Sequence, residues 1–302
     1  MNLSGPVDFR PKLFSALRHY DGKRFKSDLI AGIVVGIVAL PLAIAFGIAS
    51  GVSPTVGLIT AIIGGFMVSA LGGCSVQIGG PTGAFIVIVY NIIATFGLQG
   101  LAIATFMAGL ILVLLGVFHL GTVIKFIPYP IVVGFTAGIA LTIFSTQIND
   151  FFGLGLTNVP SEFLPKWGEY IRNFANVDLV TLGVGLVSLL IIIVTPKISK
   201  KLPGALIAII IVTAACWLLK SVPGFHVETI GDRFGRLPTD IPQPHGFELN
   251  MATINMLLPS AFTIAILGAI ESLLSSTVAD GVTGSRTNSN TELIGQGLAN
   301  IT

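Results

Sequence analysis

The chain has 302 residues, of which 53% are apolar and 10% charged; soluble domains carry about a quarter charged residues, so this is the composition of an integral membrane protein. A net charge of +2 gives no support to nucleic-acid binding, and no HExxH, P-loop or other cofactor motif occurs. Cys74 and Cys216 both fall in or beside apolar segments, where they read as small apolar residues rather than a disulfide or metal pair.

Residues 1–28 form an N-terminal segment that carries Arg10, Lys12, Arg18, Lys23, Arg24 and Lys26. The apolar run that follows, 29–50, is too long for a cleavable signal, whose apolar region spans about 7–15 residues. At about 22 residues it reaches about 33 Å as a helix, enough to cross a hydrocarbon core of about 30 Å. Further apolar segments are predicted near 54–71, 81–97, 100–118, 130–149, 177–195, 203–221 and 253–277. Pro41 interrupts the first of them and predicts a kink that turns Phe46 towards a cavity. Turn and helix-start signals lie at Gly51-Val52-Ser53-Pro54 and Pro128-Tyr129-Pro130. Gly32 with Gly36, Gly47 with Gly51, and Gly134 with Gly138 have the four-residue spacing of close helix packing.

Gly79-Gly80-Pro81-Thr82-Gly83 breaks the pattern where a membrane helix would continue. Proline lacks a backbone donor and glycine weakens a helix interior, so extended backbone over Cys74–Gly80 and a half-helix starting at Pro81 are predicted. Irregular backbone at membrane depth is tolerated only where protein buries it or it lines a cavity. The start of a half-helix offers free N–H groups and about half a positive charge, which favours an anion.

Glu271 is the acidic residue that falls well inside an apolar segment, and Gly268, Glu271 and Ser275 share one helix face. A carboxylate there costs about 2.5–3.5 kcal/mol on insertion scales, so it should face a cavity, a partner or the bundle interior. It could carry a coupling proton or help hold a sodium ion. Asn91, Thr136, Thr142 and Gln147 fit interhelical hydrogen bonds or a permeation path. His19, His119, His226 and His245 are not spaced as metal ligands and read as surface or interfacial residues.

Eleven Lys and Arg fall on the side of the N-terminus (the six above with Lys125, Lys197, Lys200, Lys201 and Arg286), and five on the other (Lys166, Arg172, Lys220, Arg233, Arg236). The positive-inside rule places the N-terminus in the cytoplasm of a multi-pass protein of the inner (plasma) membrane. The loops near 150–176 and 222–252 are then external, and their acids, Asp240 and Glu248 among them, read as a solvated face.

Three motifs in order resemble the sulfate-permease (SulP) family of anion transporters, whose animal relatives include prestin. They are Asp28-Leu-Ile-Ala31-Gly32 with Ala39-Leu-Pro41-Leu-Ala-Ile-Ala-Phe46-Gly47; Ser75-Val-Gln77-Ile-Gly79-Gly80-Pro81-Thr82-Gly83-Ala84-Phe85; and Leu267-Gly268-Ala-Ile-Glu271-Ser272-Leu273-Leu274 continuing to Asn288-Ser289-Asn290-Thr-Glu292-Leu293-Ile-Gly295-Gln296-Gly297-Leu-Ala-Asn300. The resemblance implies an all-α integral membrane fold of two inverted seven-segment repeats, with core segments at about 29–118 and 253–302 and gate segments at about 130–221. It implies an anion held by Thr82, Gly83 and Ala84, walled by Leu42 and Phe46, and a coupling site, for sodium or a proton, at Glu271 and Ser275. Leu42 replaces the glutamine of many sulfate carriers, as in bacterial bicarbonate and dicarboxylate members, so the implied cargo is sulfate, bicarbonate or a dicarboxylate. The implied activity is secondary transport, symport with sodium or a proton by alternating access, with a homodimer as the family's assembly; an uncoupled anion channel or a non-transporting anion sensor are the alternatives. Nothing pairs a nucleophile with a base, so no enzyme is expected. Because the sequence stops at Thr302 near the start of a ninth segment, it looks like a fragment without the tenth-segment half-helix and STAS domain, and transport by this piece alone is not expected.

Overall fold

A computed structural model describes residues 9–18, 20–124, 129–157, 159–160, 162–199, 203–235 and 250–302. Hydrocarbon leaves backbone polar groups no outside partner, and the apolar segments accordingly become helices. In chain order these are α1 (Lys12–Leu17), α2 (Gly22–Ala49), α3 (Pro54–Leu71), α4 (Ile86–Val117), α5 (Gly121–Ile124), α6 (Tyr129–Phe152), α7 (Phe163–Arg172), α8 (Leu179–Ile198), α9 (Gly204–Leu219), α10 (Ile230–Phe234), α11 (Met251–Thr283) and α12 (Ser289–Ile301). Short 3-10 turns occupy Gly83–Phe85 and Phe174–Asn176. Among the described residues five helices are long and apolar enough to cross a membrane: Gly22–Ala49, Pro54–Leu71, Gly83–Val117, Leu179–Ile198 and Met251–Thr283. Helix starts follow capping chemistry. Asp21 accepts from the Arg24 N–H, Asp178 from the Val180 and Thr181 N–H groups, Asn250 from Ala252 and Asn288 from Thr291, each such cap contributing about 1 kcal/mol.

Pro41 lies inside α2, where its ring removes one helical N–H donor. The segments predicted at 81–97 and 100–118 are two helices that meet, at the predicted boundary, in a break at Gly97, where φ is 68° and ψ −173°, a conformation essentially reserved for glycine. The stretch before the break, from the 3-10 turn to Phe96, is about 14 residues or about 21 Å long, short of a full crossing. The intervals near 150–176 and 222–252 contain α7 and α10, and the end of the chain folds into α12. His19, Lys125, Pro128, Lys200, Lys201, Arg236, Asp240, His245 and Glu248 lie outside the described residues.

The chain divides into two compact units, one of Met1–Phe25, Ala43–Ile139 and Asp240–Thr302, the other of Lys26–Leu42 and Ala140–Thr239. In the first, Ile103, Ala104, Ala108 and Leu112 of α4 pack with Leu257, Ala265, Ala269 and Leu273 of α11 and Leu293 of α12. Glycine lets α12 approach α4 at backbone distance: a Cβ at Gly297 would sit 2.6 Å from the Gly109 oxygen, and one at Gly109 2.7 Å from the Gly297 oxygen. Of the glycine pairs predicted to pack, Gly47 alone is used that way, with Gly57 as its neighbour; a Cβ at Gly32, Gly36, Gly134 or Gly138 would meet no atom within 4 Å. Gly51 instead supplies a positive φ of 82° in the turn before α3.

In the second unit, Ile148, Leu154 and Tyr170 form a small core flanked by Phe152 and Trp167. The Trp167 Nε1–H donates to Ser145 Oγ at 3.0 Å. Burial, reinforced by Asp150, pushes the Tyr170 phenol up to about 12, and burial lowers Lys166. α8 packs on α9, where a Cβ at Gly204 would lie 2.7 Å from the Ile192 oxygen. Gln147, predicted to bond across helices or line a path, donates to its neighbour Thr146.

Candidate functional site

α3 stops at Gly72, whose ψ of 160° turns the chain out of the helix. Every amide beyond that point loses its helical acceptor and needs another one. Two find a single carboxylate: the Gly73 and Cys74 N–H groups donate to Glu292 Oε2 at 2.7 and 3.0 Å. The same stretch is bound by backbone on both sides, since the Gly72 oxygen accepts from Lys12 N–H at 3.0 Å and the Gly73 oxygen from Asn288 N–H at 3.2 Å. A side chain at Gly73 could not fit, because its Cβ would lie 2.2 Å from the Asn288 oxygen.

Glu292 is 0% exposed. Its second oxygen, Oε1, accepts from Ser272 Oγ at 3.0 Å, and Ser272 Oγ in turn accepts from Gln77 Nε2 at 2.9 Å and Gln296 Nε2 at 3.2 Å. One hydroxyl thereby uses its proton and both lone pairs. Gln77 Oε1 is buried with no hydrogen-bond partner among the described residues.

Five residues further on, Thr82 ends the extended stretch. Its φ of −134° and ψ of 148° make it the N-cap of the Gly83–Phe85 turn, so the helix begins two residues later than the predicted start at Pro81. The cause is the side chain: Thr82 Oγ1 accepts from the Ala84 N–H at 3.3 Å, while the Thr82 oxygen accepts from Phe85 N–H at 3.2 Å. The same Oγ1 donates to Glu271 Oε1 at 2.5 Å. Gly268 lies one turn earlier on α11, its Cβ position 3.8 Å from the Phe85 ring, so this face of α11 lies against the turn.

Thr82, Gly83, Ala84 and Glu271 thus meet at the turn. Ser275 is one turn beyond Glu271 and exposed. Phe46 is buried on α2 with Ala43, Ile44 and Gly47. Leu42 is 49% exposed and falls in the second unit, whereas the other candidates fall in the first. The carboxylate and hydroxyl oxygens of Glu271, Thr82 and Ser275 are the donor type that hard cations such as sodium take. Glu292, Ser272 and Gln77 occur in the motifs of the sequence but drew no role there. Their signal was Gly72-Gly73 at the end of one segment and the helix-start pattern of Asn288 four residues before Glu292.

The pattern of the sulfate permease family matches residues 25–302. YvdB of Bacillus subtilis, provisionally named a sulfate transporter, is 45% identical over 93% of this chain and 53% of its own length. The bicarbonate transporter BicA of a Synechocystis strain is 31% identical over 92% of this chain and 50% of its own length. The chain therefore spans about half the length of the curated relatives it matches. Among solved structures, the transmembrane domain of a cyanobacterial bicarbonate transporter BicA superposes with a TM-score of 0.77 at 29% identity, over 93% of this chain and 72% of that one. The murine anion transporter Slc26a9 gives 0.75 at 17% identity, over 99% of this chain and 54% of that one, a likeness of fold.

Proposed function

The chain belongs to the sulfate permease family, and from that premise we propose that it takes part in secondary transport of a small anion (sulfate, bicarbonate or a dicarboxylate) across the plasma membrane by alternating access. The anion is held at the Thr82–Ala84 turn, with Phe46 and Leu42 as walls and with Glu271 and Ser275 as the coupling site. Relatives named for sulfate and for bicarbonate support this cargo class.

One observation carries the reading: Thr82 has a single hydroxyl proton, and it is spent on Glu271. An anion at the turn and the Glu271 carboxylate therefore compete for the same donor. A sodium ion or proton on Glu271 satisfies the carboxylate and releases the Thr82 hydroxyl to the anion, so cation and anion load together. Coupling of this kind is reciprocal, each ligand raising the affinity of the other by the same factor. Core segments moving against gate segments then carry the loaded site between faces. A homodimer, expected of the family, remains part of this proposal.

The decisive experiment is uptake by the intact protein in proteoliposomes, with labelled sulfate, bicarbonate, fumarate, succinate and chloride in competition, with and without sodium and across pH. Losing the Thr82 hydroxyl removes a contact worth about 1.4 kcal/mol, so Thr82→Val should weaken the preferred anion about tenfold. Unchanged affinity for every anion would place the site elsewhere. Glu271→Gln should abolish cation dependence while anion binding persists; binding without flux in the unmodified protein would make it a sensor, and flux without cation dependence a channel.

A further inference from the structure

The Glu292 carboxylate has no part in the mechanism above, yet it is fully buried and ties together three stretches distant in sequence. Its Oε2 holds the first two amides of the extended stretch. Its Oε1 holds Ser272, the residue next to Glu271 on α11. Ser272 holds Gln77, midway along the stretch that ends at Thr82. Gln77 has no second anchor for its amide, because Oε1 is unpartnered among the described residues. The stretch from Gly73 to Thr82 contains no helix or strand of its own. Its position relative to Glu271 is held by this linkage, by the backbone bonds at Gly72 and Gly73, by the close approach of Gly79 to Val68 and Gly65 of α3, and by the Thr82 bond to Glu271 itself.

We infer that Glu292, acting through Ser272 and Gln77, is the positioning residue that sets the Thr82 hydroxyl against Glu271 and so fixes the anion end of the half-helix. The inference rests on the proposed role of Thr82. Glu292 touches neither the anion nor the coupling cation; it determines where the donor that does so stands. The chemistry demands a carboxylate. Two amide donors on one oxygen and a hydroxyl donor on the other call for acceptors on both sides. A glutamine would turn its NH2 either onto the Gly73 and Cys74 N–H groups or onto Ser272. In the second case Ser272 must become an acceptor there and release Gln77 or Gln296, since its lone pairs are already taken.

The test measures sulfate and bicarbonate binding by calorimetry on the purified intact protein, using the monodisperse, folded fraction, with thermal melting recorded in parallel. Ser272→Ala and Glu292→Gln should each raise the dissociation constant about tenfold, as a loss of one positioning contact would, and Ser272→Thr, which keeps the hydroxyl, should restore binding. The double variant should bind no more weakly than Glu292→Gln alone, because both changes cut one linkage. A residue that serves only stability would lower the melting temperature and leave the affinity of the folded fraction unchanged. Wild-type affinity in folded Ser272→Ala and Glu292→Gln, with Thr82→Val weakened, overturns the inference alone. If Glu292→Gln does not fold, Ser272→Ala decides. Thr82→Val with wild-type affinity overturns the site reading and this inference with it.

Discussion

α11 and α8 are both long and apolar enough to cross a membrane, yet 39% of the most apolar stretch of α11 is buried within the chain and 0% of that of α8. Their polar side chains differ only in part, since Thr263, Ser276, Thr277 and Thr283 of α11 also donate to carbonyls of their own helix. On α8, Ser188 and Thr195 donate to the carbonyls of Val184 and Ile191 on their own helix, at 2.8 and 2.7 Å, which satisfies the hydroxyls without a hydrogen bond to another helix. On α11, Glu271 and Ser272 reach across to Thr82 and Glu292. A polar residue in an apolar helix is thus informative through the direction of its hydrogen bond. Turned onto its own backbone it is a solution to solvation; turned outward it joins segments and marks the candidate site.

The contrast can be broken most forcefully by glycine replacement. Gly297→Val drives a side chain into the Gly109 backbone oxygen, 2.6 Å from the Cβ position, and should cost about 3 kcal/mol or more. Gly183→Val on α8, where a Cβ meets nothing within 4 Å, should stay within about 0.5 kcal/mol. Equal losses in denaturation of the detergent-solubilised protein would erase the distinction. Next in size is Gly97→Ala, which forces a side chain onto a glycine-only backbone conformation and should cost about 1–3 kcal/mol in the same assay.

Smaller still is the cap of α8. Asp178→Ala removes a group that accepts from two amides and the Thr181 hydroxyl, and about 1 kcal/mol should be lost. The hydrogen bond from the Thr181 side chain, then that from its amide, holds the Asp178 carboxyl below its ordinary value. Its contribution is therefore complete above the unfolded carboxylate pKa and disappears as pH falls through the lower folded value. Asp178→Asn should flatten that acid limb of a melting-temperature profile. Smallest is Ser188→Ala, expected within about 0.5 kcal/mol because the hydroxyl serves only its own helix; a larger loss would show that this hydroxyl also reaches beyond α8.

Composition and periodicity made the membrane helices legible, and Gly79 to Gly83 with Glu271 announced the break and its acidic neighbour before any coordinates. The contact between Thr82 and Glu271 joins two residues that proline, glycine and a buried charge had each singled out. Glu292 was hidden for a physical reason. It sits in a polar run, Thr287 to Glu292, that reads as surface, and its burial arises only when α12 packs on α4 and α3. Glycine spacing is legible only in part for a related reason: four-residue spacing identifies a narrow face on one helix, as at Gly47, and says nothing about whether a partner lies opposite. The contacts actually used, Gly109 with Gly297 and Gly47 with Gly57, pair glycines from different helices.

The Gly73 bond to Glu292 spans 219 positions of chain. A ribosome adding about 5–20 residues per second makes that interval about 10–45 s. Throughout it, the extended stretch has entered the insertion machinery while the carboxylate that will accept its amides does not yet exist. Biogenesis must keep those donors wet, or lend them another acceptor, until α12 arrives. Completion of the contact between Thr82 and Glu271 is then timed by synthesis of residue 292 rather than by insertion of the half-helix itself.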